Sequence, residues 1–210
     1  MKDNLQVSVE GIVKIWDPES QEVFVNQRNA INPEAMSLFI AKHLANQSNS
    51  YISEMHFGNG GVIIDTTGNV TYKDVYANLE SGVLASLFNA TYFKVVAEEG
   101  ANNDDADYNN VVISHTEGLK YTDVVITCTL AAEQPTASDI GNLYQITQED
   151  YDNAAGFDGE FVFSEIGLKA MSESGDLNAG NLLTHIVFHP VQKSANRVIQ
   201  VVYTLRIRIV

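Results

Sequence analysis

The sequence predicts a mainly β protein, an antiparallel β-sandwich with one α-helix near the N-terminus. Short apolar runs recur at roughly ten-residue spacing with polar turns between them, which is typical of sandwiches. In the last run, Arg197–Val210, apolar side chains occupy every second position, as in a strand with one buried face. Residues 33–46 show most clearly the three- and four-residue apolar spacing of a helix. This pattern favours a sandwich over alternating strand–helix units.

The N-terminal fifty residues predict a hairpin followed by the helix. Val7–Trp16 and Glu22–Asn26 are rich in strand-forming residues, and Asp17-Pro-Glu-Ser-Gln between them is typical of a turn. The helix begins at Asn32-Pro-Glu, because Asn is a good N-cap, Pro suits the first helical position and Glu favours the positive helix end. We interpret residues 1–50 as a semi-independent docking arm and residues 51–210 as the sandwich domain.

The middle of the chain predicts a series of short strands. They are expected at Tyr51–Phe57, Val62–Ile64, Thr91–Ala97, Val111–His115, Tyr121–Leu130 and Phe161–Met171. Gly58-Asn-Gly-Gly is typical of a tight turn. Tyr76–Phe88 is ambiguous, because Gly82 interrupts a weak helical pattern. Ala131–Asp158 is polar and irregular, with a short helix expected near Ser138–Leu143.

The C-terminal end predicts two strands, Leu182–Pro190 and Arg197–Val210, joined by a short turn at Val191–Asn196. A long strand with one apolar face needs an apolar surface to pack against. Tyr121–Leu130 and Phe161–Met171 are the candidate partners of this strand pair.

Charge excludes several classes of partner. The chain has 12 basic and 27 acidic residues, a net charge of −15, which repels both a phosphate backbone and an anionic membrane. Residues 101–160 hold 1 basic and 12 acidic residues, whereas residues 161–210 hold 5 and 3. This asymmetry fits either a solvated acidic surface or charge complementarity between neighbouring copies. The N-terminus lacks the apolar core of a signal peptide, so we expect synthesis in a reducing cytoplasm.

No motif predicts catalysis, a cofactor or a metal. Cys128 lies in an apolar strand and is expected to be a small buried hydrophobe. Gly58-Asn-Gly-Gly lacks the Lys and Ser/Thr of a phosphate loop. His185 and His189 would lie roughly 13 Å apart on a strand, too far to share one metal ion. The Asn103–Asp107 cluster lacks the Gly and Glu of a calcium loop, although irregular calcium binding stays open.

Charged and titratable residues near the C-terminus are the candidate interface residues. They are Lys193, Arg197, Arg206, Arg208, His185 and His189. Their basic groups suit acidic loops, either of this chain or of a neighbour. If the histidines are interfacial, assembly depends on pH near 6. Glu165 lies inside an apolar strand, and we expect a structural ion pair with a cation nearby in sequence: Lys169, Lys193 or Arg197.

Four segments in a fixed order carry a resemblance to a known family. They are Met55-His-Phe-Gly-Asn-Gly-Gly, Leu84-Ala-Ser-Leu-Phe-Asn-Ala-Thr-Tyr, Phe161-Val-Phe-Ser-Glu-Ile-Gly-Leu-Lys and Leu182-Leu-Thr-His-Ile-Val-Phe-His-Pro. This order resembles structural proteins of tailed-bacteriophage virions, in particular the tail-collar and fibre-attachment type, over about residues 51–210.

The resemblance implies a non-enzymatic virion component, a tail-associated adaptor or collar subunit that connects fibres or neighbouring tail proteins. Its expected partners are other virion proteins and copies of itself in a homo-oligomer. Two alternatives stay open: a head decoration, cement or neck subunit, and a carbohydrate-binding module that recognises a receptor. The chain does not continue into a long fibre shaft, which favours a self-contained subunit over a receptor-binding fibre.

Overall fold

A computed structural model describes residues 6–97, 103, 106–136 and 161–209. The strands run as follows: β1 Val7–Trp16, β2 Val23–Arg28, β3 Ala30–Ile31, β4 Ile52–Gly58, β5 Val62–Ile64, β6 Val70–Tyr72, β7 Ala90–Val95, β8 Asn110–Ser114, β9 Tyr121–Leu130, β10 Phe161–Ala170, β11 Thr184–Lys193 and β12 Ile199–Ile209. Helix α1 spans Pro33–Leu44, helix α2 spans Val75–Leu79, and a single 3-10 turn covers Gly82–Leu84. The ambiguous segment Tyr76–Phe88 is thus partly helical.

The strands form two five-stranded sheets and one small hairpin. Sheet one has the order β2-β1-β12-β9-β8, sheet two has the order β3-β11-β10-β4-β7, and β5 pairs with β6. Every pairing among the described strands is antiparallel. Apolar side chains from both sheets form one main core, with the aromatic rings of Phe57, Phe163 and Tyr203 among its buried groups. The prediction of a mainly β antiparallel sandwich is confirmed.

The N-terminal segment is part of the sandwich. β1 pairs with β12 from Val7↔Ile209 to Trp16↔Gln200, so it lies inside sheet one. Ala35 and Met36 of α1 belong to the main core. This corrects our expectation of a semi-independent arm at residues 1–50: β1 and β2 belong to sheet one and β3 to sheet two, and Val13, Ile15 and Val25 are buried in the shared core.

The local predictions for this segment hold. β1 and β2 form the expected hairpin, and α1 begins where the N-cap chemistry placed it. Asn32 Oδ1 accepts a hydrogen bond from the backbone N–H of Ala35 at 3.1 Å. The buried Asn32 amide also donates to the carbonyl groups of Gly82 and Leu182, at 2.7 and 3.0 Å. The cap therefore fixes the helix to two distant segments.

The two C-terminal strands are not neighbours. β12 lies in sheet one between β1 and β9, whereas β11 lies in sheet two between β3 and β10. The prediction of two strands joined by a short turn is confirmed, and that short connection crosses from one sheet to the other. Both candidate partners are confirmed, one for each strand: β9 pairs with β12 and β10 pairs with β11.

The remaining points concern Cys128 and the helices. Cys128 is completely buried in the core, and burial raises the pKa of its thiol to about 12, as suits a structural hydrophobe. The short helix expected near Ser138–Leu143 lies outside the described residues. No helix in the described part of the chain is long and apolar enough to cross a membrane.

Candidate functional site

The outward side of sheet two, which we call the covered face, carries titratable side chains beneath a second layer of chain. The register pairs Glu54 with Lys169 and His56 with Gly167, so alternate positions along these strands share one side. Residues 59–89 and 171–183 lie over this side. Leu87 and Leu182 contact Gly167 and belong to a small second apolar cluster. The covered face is therefore interior although it points away from the main core.

Glu165 is the centre of the covered face. Its carboxylate is fully buried and accepts four hydrogen bonds. Oε1 accepts from the backbone N–H groups of Gly60 at 3.0 Å and Asn89 at 2.8 Å. Oε2 accepts from the backbone N–H of Phe88 at 2.9 Å and from His185 Nε2 at 2.8 Å. The two oxygens thus hold two segments of chain, the turn at Gly60 and the segment at Phe88 and Asn89, against sheet two and also bind the neighbouring strand β11 through His185.

The hydrogen bonds of His185 define which ring nitrogen carries the proton. The amide Nδ2 of Asn78 donates to His185 Nδ1 at 3.0 Å and also to the carbonyl of Ser86 at 2.7 Å. Because Nδ1 accepts, the proton lies on Nε2, which donates to Glu165. The pair is therefore a carboxylate bound to a neutral imidazole, and Asn78 fixes the ring from helix α2.

The expected partners of Glu165 were wrong. Lys169 Nζ donates to the carbonyl of Asn178 at 2.9 Å. Lys193 Nζ donates to the Ser194 carbonyl, and Arg197 contacts an acidic turn elsewhere. Sequence proximity is a poor guide here, because three of the four donors are backbone groups, which any residue type can supply.

The turn after β4 approaches Glu165 so closely that it needs glycine. A Cβ at Gly60 would lie 2.6 Å from the backbone nitrogen of Asn89, and one at Gly58 would lie 2.4 Å from the Asn89 carbonyl oxygen. The turn is also tied to this segment by Asn89 Nδ2, which donates to Asn59 Oδ1 at 2.6 Å. Lack of space, rather than a left-handed backbone conformation, explains these two glycines.

A second carboxylate–imidazole pair lies on the same face. His56 Nε2 is 2.6 Å from Glu54 Oε2, and both carboxylate oxygens of Glu54 accept from the backbone N–H of Asn178, at 2.8 and 3.1 Å. The His56 ring stacks on Phe93 with centroids 5.1 Å apart. Burial lowers the pKa of His56 to about 4, against the opposing effect of the Glu54 hydrogen bond, so the ring is neutral at pH 7.

These two pairs hold chain segments together and are buried away from solvent. Glu54, His56, Glu165 and His185 are each at most 1% exposed. None of them lines the cleft beside α1 or the depression at the end of sheet one. A general acid or base must reach the group that it protonates. The geometry of these carboxylates therefore suits a scaffold.

Two of the predicted interface residues bind acidic groups of their own chain. Arg206 makes a bidentate contact with Asp123, with both N–O distances at 2.8 Å, and holds the pKa of that carboxyl below its usual range. Arg197 lies 3.5 Å from Asp17 and 3.8 Å from Glu22, in the turn between β1 and β2. The sequence left open whether these arginines contact acidic groups of this chain or of a neighbour. Both contact acidic groups of this chain.

Two further candidates are buried, which corrects their expected place at a surface. His185 has no exposed area, and Lys193 is 2% exposed. Burial lowers the pKa of Lys193 to about 8, and its Nζ donates to the Ser194 carbonyl at 3.1 Å. Neither residue can contact a neighbouring molecule in this conformation.

The remaining two candidates keep accessible surface. His189 is exposed, and Arg208 is partly exposed at the end of β12. Among the described residues neither makes an ion pair. Their interface role stays a prediction.

Sequence reasoning missed Glu54, Asn78 and Asn178, and it did not connect His56 with a carboxylate. The signal that could have paired Glu54 with His56 is their spacing, since residues two apart in a strand lie on the same side. All seven residues of β4 are buried, so its polar side chains needed partners as much as Glu165 did. Asn78 and Asn178 carry no comparable signal, because asparagine is common in loops.

Metal binding has limited support in the described ranges 6–97, 103, 106–136 and 161–209. They contain no group of three or more His, Cys, Asp or Glu side chains placed to share an ion. The Asn103–Asp107 cluster lies only partly within these ranges.

Comparison with known proteins adds no relative. No protein-family model matches the chain, and neither a curated protein nor a solved structure matches it. The functional interpretation therefore depends on the residues and their geometry.

Proposed function

We propose that this chain is a non-enzymatic structural component of a tailed-phage virion, a tail-associated adaptor or collar subunit. One observation carries the proposal: the four segments of the family resemblance meet at a single buried carboxylate. Glu165 from one segment accepts hydrogen bonds from Gly60, Phe88, Asn89 and His185, which lie in the other three. The motif residues thus fix the fold rather than form a reactive site, as a subunit whose task is assembly requires.

The outward side of sheet one, which we call the open face, supports an assembly role. Glu10, Arg206 and Asp123 lie side by side across β1, β12 and β9, with Ile12 and Val112 in the next row. The two apolar side chains are 42% and 45% exposed. Ile113, in the edge strand β8, is 76% exposed. Exposed edges and faces of this kind are sites where another chain can pack.

Charge favours a second copy of the chain as the occupant of the open face. Arg208 extends from this face without an ion pair in the described part of the chain, while the chain as a whole carries −15. A neighbouring copy therefore offers acidic groups to Arg208, which has no acidic partner among the described residues. We place the contact between copies at the end of the open face that includes Arg208.

Localisation in a particle tests the proposed function directly. Purified particles from the source of this sequence should contain the chain, and labelled antibodies viewed by electron microscopy should mark the tail or collar. A label on the capsid would favour the head decoration or neck alternative. Particles that lack the chain, although the lysate contains it, would rule out a virion role.

A charge reversal tests the contact between copies. Arg208→Glu should shift the purified protein from oligomer to monomer in size-exclusion chromatography with light scattering. The matched control is Arg28→Glu on strand β2, whose side chain is 76% exposed and lies 3.8 Å from Glu10. It should leave the oligomer intact. Equal behaviour of both variants, or a wild-type protein that is monomeric at every concentration, would contradict this contact.

A further inference from the structure

A cleft of about 390 Å³ lies between helix α1 and the loop that follows β10. Phe39 and Lys42 line it from the helix, residues 47–50 from the segment after the helix, and Glu173 and Asn181 from the loop. The volume is within the range of roughly 300–1,000 Å³ that small-molecule sites occupy. The cleft is separate from the buried carboxylates of the covered face.

The charges in this cleft cancel. Lys42 Nζ donates to Glu173 Oε1 at 2.5 Å, and this contact holds the pKa of the Glu173 carboxyl below its usual value. No other charged residue lines the cleft in the described part of the chain. An anion would meet Glu173 and a cation would meet Lys42, so the electrostatics favour a neutral ligand.

Neutral polar groups in the cleft are available to a ligand. The side chains of Gln47, Ser48 and Asn181 make no hydrogen bond within the residues that the structure describes. Ser50 also lines the cleft, but its hydroxyl oxygen is buried and out of contact with solvent, so it is not among these groups. Two amides and one hydroxyl, those of Gln47, Asn181 and Ser48, provide both donors and acceptors.

The cleft lining also includes apolar side chains. They are Phe39 of α1, Met171 and Leu183. A pyranose ring has the matching chemistry, because its C–H faces are apolar and its rim carries neutral hydroxyl groups. We propose that this cleft binds a neutral saccharide unit. The proposal goes beyond the structural role above and does not depend on it.

Saturation-transfer NMR and calorimetry with the full chain test this site. The probes are methyl glycosides of neutral hexoses and N-acetylhexosamines, with sialic acid and glucosamine as charged comparators. Ala179→Trp should fill the cleft and weaken binding at least about tenfold. Ala179 is exposed and lines the cleft. Ala77 on helix α2 is also exposed but does not line the cleft, so Ala77→Trp is the matched control and should bind as the wild type does.

A second variant keeps the test informative if the tryptophan disturbs the loop. Asn181→Ala removes an unpaired amide and leaves the backbone carbonyl that accepts from Ala170. It should weaken binding about threefold or more. The proposal is overturned if no neutral saccharide binds at about 10 mM, if a charged sugar binds more tightly, or if Ala179→Trp and Asn181→Ala both bind like wild type.

Discussion

The two outward sides of the sandwich have similar residue types and opposite environments. On the open face of sheet one, Arg206 and Asp123 pair across neighbouring strands with side chains 34% and 17% exposed. On the covered face of sheet two, Glu165 and His185 also pair across neighbouring strands, yet both are completely buried. An outward position in a strand therefore does not define exposure: what lies over the strand decides whether a charge is solvated or structural.

The difference has an energetic consequence. A solvated cross-strand pair competes with water and is screened by salt, so its loss matters little. A buried carboxylate has already lost its water, so each missing donor or acceptor leaves an unsatisfied group in the interior. Substitutions on the covered face should therefore be far more destabilising than matched ones on the open face.

The largest effect is expected for Glu165→Ala. It removes the acceptor of three backbone N–H groups and one imidazole, so the free energy of unfolding should fall by about 3–5 kcal/mol. The matched change on the open face, Asp123→Ala, should cost only a small fraction of that. Urea unfolding of both variants measures the difference. Similar losses in the two variants would mean that the chain segments over the covered face do not exclude water from Glu165.

The next effect concerns acid. Burial places the pKa of His56 at about 4 in the folded state, below the unfolded value of 6.5, so the unfolded chain binds the proton more tightly. Stability is intact above pH 6.5 and should fall by about 3 kcal/mol as the pH decreases from 6.5 towards 4.

Urea unfolding at several pH values checks this prediction. His56→Gln should flatten the loss between pH 6.5 and 4, whereas His189→Gln, at an exposed histidine of the same sheet, should keep the wild-type slope. An unchanged slope in His56→Gln would assign the acid sensitivity to other groups.

A smaller loss is expected where the turn meets Asn89. Gly60→Ala places a Cβ 2.6 Å from a backbone nitrogen and should lower the free energy of unfolding by about 1–3 kcal/mol. Thermal unfolding is the measurement, and Ser114→Ala on the exposed edge strand is the control, with an expected change within about 0.5 kcal/mol. A neutral Gly60→Ala would show that the second layer can move away without cost.

The smallest effect should come from the Arg206–Asp123 pair itself. A double-mutant cycle with alanine at both positions should give a weak favourable coupling that decreases as salt is added. Chemical unfolding at low and high sodium chloride measures it. Coupling that persists at high salt would place the pair in a less solvated environment than the open face provides.

Local chemistry made much of the fold predictable. The β1–β2 hairpin, the cap of α1 at Asn32 and the extent of β9 follow from turn residues, capping and alternation, which act over a few residues. Strand pairing is not local. The alternation in β12 defines its buried face but not its neighbours, so the placement of β11 and β12 in different sheets was not foreseen.

The candidate site was predictable in part for a related reason. A carboxylate within an apolar strand indicates burial and a required partner, and Glu165 has both. The partners lie 20 to 105 residues away in sequence, and most are backbone groups without a residue-type signature. The sequence therefore showed that Glu165 needs hydrogen-bond donors, but only the tertiary structure shows which groups donate.

The pairing of β1 with β12 has a consequence for how the protein is made. Trp16 and Gln200, which bond through their side chains at 3.1 Å, are 184 residues apart. During synthesis β1 leaves the ribosome long before its partner exists, and such a distant contact closes slowly. A chain that stops before β12 leaves β1 and β9 each with one unpaired edge, although β1 still has β2 and β9 still has β8 as a neighbour. Such edges are templates for aggregation. Sheet one can therefore be completed, and its aggregation-prone edges covered, only after the ribosome has translated the chain through Ile209.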